Sequence, residues 1–141
     1  MKYALGRIMA EELSYSMNRI KLEKDAKIDI NPKFSRTVRR AQENDKLWFV
    51  SLEMKVESTD EDPKPFNLKA RLVGMFEAED VESELDRHDL VINMTEIVYP
   101  YLRAAVSSLT ANAFINPLVL PVIPAGTMFP EDRGEAPANL T

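Results

Sequence analysis

Between residues 46 and 58 the sequence KLWFVSLEMKVES alternates without a fault. Trp48, Val50, Leu52, Met54 and Val56 take one face, and Phe49, Ser51, Glu53, Lys55 and Glu57 take the other. Period two over that length is a β-strand with one buried face. FNLKARLVGMFE, residues 66 to 77, repeats the pattern with Phe66, Leu68, Ala70 and Leu72 on one face. Between the two lies STDEDPKP, acidic and marked by two prolines, which reads as a hairpin-like loop. Gly74 predicts a bulge or a close backbone approach. Two more strands precede this pair. In residues 3 to 17, Leu13, Tyr15 and Met17 oppose Ser14 and Ser16. In residues 26 to 38, Ile28 and Ile30 alternate with Lys27 and Asp29, and Asn31-Pro32 marks a bend or an edge position.

The period then changes. AEDVESELDRHD, residues 78 to 89, is polar and acidic and reads as a loop with a short helical turn. A helix is predicted from Leu90 or Asn93, with Asn93 and Glu96 spaced as a capping box. Ile97, Tyr101, Ala104, Ala105, Ser108 and Leu109 share one stripe, small enough to let another element approach. Pro100 falls in the first two turns, where a proline costs least. The helix breaks at Asn116-Pro117, and an apolar run from Leu118 to Ile123 follows, interrupted by Pro121. Four strands followed by one helix predict an α+β fold: a four-stranded antiparallel sheet, a long helix packed on it and an irregular apolar C-terminal arm. A chain of 141 residues suits one domain. That domain is expected over residues 1–125, with residues 126–141 as a polar, disordered tail.

Chemistry is hard to place on these residues. The net charge of −5 argues against nucleic acid. The basic cluster Arg36, Arg39 and Arg40 is followed by Glu43 and Asp45 and reads as a solvated strand edge. There is no cysteine, which removes disulfides, thiolate zinc sites and cysteine nucleophiles. His88 stands alone between Asp86 and Asp89, with no nucleophile beside it and no metal-ligand spacing. Four glycines leave no phosphate-cradling loop. No catalytic residue, metal or cofactor is therefore expected, and the chain reads as a binding protein, not an enzyme. The first fifteen residues do not form a signal peptide, and no run reaches the roughly 18 to 20 apolar residues of a membrane span. A cytoplasmic location with no membrane insertion is expected.

Several stretches together resemble one family. They are Arg7-Ile8 and then Glu12-Leu13-Ser14-Tyr15, Gly74-Met75-Phe76 closing a strand, Pro100-Tyr101 with Arg103 in the helix, and the arm with Leu118 and Leu120. In order and spacing they resemble SecB, the bacterial export chaperone, over roughly residues 5 to 123. The resemblance implies a Greek-key sheet, and dimers stacked through their helices into a homotetramer. It also implies a groove beside the arm that takes extended, non-native polypeptide. Tyr99, Phe114, Ile115, Leu118, Leu120, Val122 and Ile123 are then expected in the groove, with Trp48, Val50 and Leu72 as sheet candidates for which plain core is the better reading. Tyr101, Ala104, Ala105 and Ser108 are the expected subunit interface. The family docks the translocation ATPase SecA on sheet acids. Glu12 matches one, while Ser16 and Lys69 stand where two others fall, so SecA docking is expected to be weak or absent. The family's second helix would fall in AGTMFPEDRGEAPANLT, where Pro130 and Gly134 reduce it to a turn or remove it. The competing expectation is an interaction protein of the same fold, dedicated to a single partner such as an antitoxin.

Overall fold

A computed structural model describes residues 1–20 and 29–134. Four strands, β1 (Lys2–Met17), β2 (Lys33–Arg40), β3 (Leu47–Val56) and β4 (Phe66–Glu79), precede one helix, α1 (Glu84–Asn112). The sheet order is β1-β4-β3-β2 and every pair is antiparallel. Strands β2, β3 and β4 form a meander, and β1 returns beside β4, which closes a Greek key.

The core follows from the two alternating strands. Leu52 faces Leu72, Trp48 faces Phe76, and Val50 faces Gly74. Helix α1 crosses this face with Leu90, Met94, Val98, Leu102 and Val106, one residue every fourth position, all buried. Gly74 lies directly beneath the helix. A methyl group there would come within 2.7 Å of Val98 Cγ2 and 2.9 Å of Phe76 Cε2. Gly74→Ala is expected to cost about 1 to 3 kcal/mol through overpacking. A melting temperature unchanged from the parent would show that the helix can lift without penalty.

Strand β1 explains its own weak pattern. Its pairing with β4 slips between Leu5 and Arg7 and again between Ala10 and Glu12. Each bulge shifts the inward set by one residue, so Leu5, Ile8, Ala10, Leu13, Tyr15 and Met17 all pair with inward positions of β4. Being at the edge, β1 leaves Leu13 and Met17 exposed, and only Leu5, Ile8 and Tyr15 pack against the core.

Three boundaries differ from the sequence expectations. The helix begins at Glu84, ahead of both Leu90 and Asn93. Ser83 is its cap: Ser83 Oγ accepts from the Asp86 N–H at 3.0 Å, and Asp86 Oδ2 accepts from the Ser83 N–H at 3.4 Å. The first turns carry no apolar stripe because Glu84, Leu85, Arg87 and Asp89 are exposed, so periodicity has nothing to mark there. Pro100 is consequently in the helix interior. Strand β2 starts only after Asn31-Pro32, where Asn31 adopts a left-handed φ of 47° that turns the chain. Lys27 and Ile28 lie outside the described residues. Finally, residues 126–134 are no disordered tail. Pro130–Arg133 forms a 3-10 turn, and Phe129 and Asp132 are buried against the domain. The rest of the expected tail, residues 135–141, lies outside the described residues.

Candidate functional site: the groove between helix and arm

The arm is extended because α1 holds it by its backbone. The helix ends at Ala113, and Phe114 reverses the chain with a φ of 63°, 96% exposed. Residues 117 to 121 then run back along the helix. Thr110 Oγ1 accepts from the Leu118 N–H at 2.8 Å, and Ser107 Oγ donates to the Leu118 carbonyl at 3.0 Å. Arg103 Nε donates to the Leu120 carbonyl at 2.8 Å, and Tyr99 Oη donates to the Pro121 carbonyl at 2.6 Å. Side chains spaced three and four apart share one helix face. That face supplies the partners that a non-regular backbone would otherwise lack. Burial raises the pKa of the Tyr99 phenol against a smaller lowering by Arg103. Pro117, Pro121 and Pro124 keep the arm out of a helix or a central strand.

Farther along, the arm parts from the helix and leaves an open cavity of about 230 Å³. Ile92, Tyr99 and Pro100 line it from α1, and Val122, Ile123 and Met128 from the arm. Glu96, Arg103 and Asp132 supply the polar groups. Pro100, inside the helix at this wall, has no N–H to give the carbonyl of Glu96. The arrangement offers apolar burial with a few polar groups along an extended backbone, the character of a polypeptide site.

Of the expected groove residues, the structure brings Tyr99, Val122 and Ile123 to this cavity. Phe114, Ile115 and Leu118 lie at the other end of the arm. Leu120 is 1% exposed and belongs to the core, as do Trp48, Val50 and Leu72 beneath the helix. The arm is therefore partly cap and partly wall: Leu120 points in, while Val122 is 76% exposed. Tyr101, Ala104 and Ser108 are exposed on α1, while Ala105 is half-buried and packs against the core.

Two residues that matter here were read otherwise or missed. Arg36 is no solvated edge residue. Its guanidinium forms paired hydrogen bonds to both carboxylate oxygens of Asp132, each 2.7 Å, and donates to Thr95 Oγ1 at 3.0 Å. The two side chains are 5% and 4% exposed. The legible signal was Arg36 itself, lodged between Phe34 and Val38 on the inward face of β2, where a charge needs a buried partner. Arg39 and Arg40 lie instead over the rings of Phe49 and Trp48.

On the far side of the sheet, Glu12 is no free acid. Lys69 Nζ stands 3.6 Å from Glu12 Oε1 and 3.5 Å from Glu53 Oε1, and Ser14 Oγ donates to Glu12 at 3.0 Å. Among the described residues no cluster of acids or histidines has a geometry that could hold a metal ion.

The profile of one family, described as preprotein translocase subunit SecB, matches residues 7–135. The chain belongs to the SecB family. An uncharacterised protein of Methanocaldococcus jannaschii, MJ0357, is 32% identical over 120 residues, which cover 82% of this chain and 74% of the relative. The protein-export protein SecB of Anaplasma phagocytophilum is 30% identical over 92 residues, 63% of this chain. The match spans only 58% of that SecB and 51% of the SecB of Anaplasma marginale. Among solved structures, a SecB-like chaperone of Mycobacterium tuberculosis, in complex with a peptide from the HigA1 antitoxin, superposes with a TM-score of 0.70. It is 13% identical, and the superposition covers 86% of this chain and 91% of that one. The SecB-family fold thus extends over β1 to β4, α1 and the arm.

Proposed function

We propose that this chain is a chaperone that holds non-native polypeptide in the groove between α1 and the arm, without ATP. The observation that carries this reading is the open apolar cavity beside an extended, proline-stiffened arm in a SecB-family fold. The fold neighbour captured with an antitoxin peptide supports it, because that protein takes a peptide as its ligand. Apolar burial is non-directional, so such a groove tolerates many client sequences. The absence of a phosphate-binding motif fits a holding role that needs no nucleotide. No helix among the described residues is long and apolar enough to cross a membrane, and the reading places the chaperone in the cytoplasm. The test is suppression of aggregation of several unrelated, chemically denatured proteins in the absence of ATP. Protection of several clients supports the proposal; protection of none overturns it.

The reading includes an assembly, a dimer at least and a tetramer of stacked dimers by family resemblance. Tyr101, Ala104, Ala105 and Ser108 form its helix-to-helix contact. Ala105→Arg would bury an unpaired charge there and is expected to split the assembly. Light scattering checks this: an unchanged mass, or a parent that is already a monomer at micromolar concentration, refutes the interface. Docking to SecA is a separate matter. With Lys69 beside Glu12, the local acid is partly neutralised, so weak or absent binding is expected. Tight, salt-sensitive binding that disappears with Glu12→Gln would contradict it.

A further inference from the structure

We infer that Arg36 and Asp132 are positioning residues for polypeptide binding: their buried ion pair fixes the far end of the arm and so sets the opening of the groove. The inference rests on the groove being the polypeptide site. An ion pair is an unusual choice for an inward position between Phe34 and Val38. Taking two charges out of water offsets much of their attraction, and well-packed apolar residues would often stabilise as much. What the pair adds is direction. Its two parallel N–H···O bonds admit one orientation of Asp132. The same guanidinium donates to Thr95 of α1, and its Cζ lies 4.4 Å from the centre of the Phe129 ring. One side chain from β2 thereby ties the sheet, the helix and the C-terminal turn together.

The consequence for the groove follows from where the wall is attached. Upstream, Pro121 is held by the Tyr99 hydroxyl. Downstream, Asp132 is held by Arg36, and Asp132 itself lines the cavity. The wall from Val122 to Met128 spans these two anchors. It is stiffened by Pro124 and by the Thr127 N–H donating to the Pro124 carbonyl at 3.2 Å. Gly126, with a φ of 74°, turns it against Ile92. A short segment fixed at both ends holds a set distance from the helix. Released at Asp132, the wall would be held there only by the apolar contacts of Ile123, Met128 and Phe129, which fix no single orientation, and the opening of the cavity would vary before a client arrived. Fixing the wall beforehand lowers the ordering cost that a client must otherwise meet on binding.

The experiment separates positioning from stability. The double variant Arg36→Met/Asp132→Leu replaces the pair by apolar side chains and keeps the core filled. Arg36→Lys keeps the charge but removes the planar fork, and it carries the same test if the double variant fails to fold. The chain has no cysteine, so spin labels can be placed cleanly at Asp89→Cys on the helix and Thr127→Cys on the wall. The client probe is reduced, carboxymethylated lactalbumin, which stays unfolded. The expected result is a melting temperature close to that of the parent, a broadened distance between the labels and at least a fivefold loss of affinity. A parental affinity in the double variant overturns the inference alone and leaves the groove reading standing. Lost affinity with a label distance as sharp as the parent's also overturns it. A parent that does not bind the unfolded probe overturns the groove reading, and the role claimed for the pair falls with it.

Discussion

Arg36→Met, made alone, is expected to lower the unfolding free energy by about 3 to 5 kcal/mol, because it strands the Asp132 carboxylate in the protein interior. The Asp132 side chain is only 4% exposed, and both of its oxygens are bonded to the guanidinium. Against a typical total stability of about 5 to 15 kcal/mol, that is a large fraction. For a chain of this size the melting temperature should fall by roughly 10 to 20 °C. Calorimetry on the single and double variants reads it directly. The single change should be much the worse of the two, since the double change removes both charges together. If Arg36→Met melts with the parent, the C-terminal turn is not held by this pair, and residues 129 to 134 detach at no cost.

The second large effect divides the arm in two. Leu120→Ala should cost about 2 to 5 kcal/mol, as truncation of a buried leucine does, since Leu120 is 1% exposed. Changing Val122 and Ile123 together to serine should leave most of the stability in place, because Val122 is exposed and Ile123 only half-buried. The same double change should weaken client binding more than tenfold. Each of these side chains contributes about 1.5 to 3 kcal/mol when a client covers it fully, and a tenfold loss needs only about 1.4 kcal/mol. Titration of a labelled unfolded client, run beside thermal melts, separates the two outcomes. Clients bound normally by the Val122/Ile123 variant would remove the arm from the binding site and leave it as a cap.

How much of this was legible depended on whether the signal was local. The alternation of Trp48 to Val56 and of Phe66 to Leu72 is a property of consecutive residues, and it placed β3, β4 and their shared inward face. Asn116-Pro117 marked the end of the helix about one turn too late: α1 stops at Asn112, and Phe114, with a φ of 63°, has already left the helical region before Pro117 is reached. The bulges in β1 hid its inward set, because each extra residue reverses the parity on which an alternation is read. The start of α1 was written in Ser83 and Asp86, but the first turns overhang the sheet and carry no apolar stripe, so the capping signal stood without its usual companion.

The candidate site was less legible, for a different reason. Leu118, Leu120, Val122 and Ile123 are alike as a sequence of apolar residues between prolines. Which of them seals the core and which faces the open cavity depends on how the backbone is rotated against α1. Thr110, Ser107, Arg103 and Tyr99 determine that by bonding to particular carbonyls and one N–H of the arm. Arg36 and Asp132 lie far apart in the chain, and no local pattern names one as the partner of the other. The sequence by itself determined the strands, the break after the helix and the stiffness of the arm, because those follow from side-chain period and proline geometry. Only the tertiary structure decided where the arm lies, which of its residues are free and what anchors its end, because these rest on hydrogen bonds and an ion pair between segments that meet only once the chain has folded.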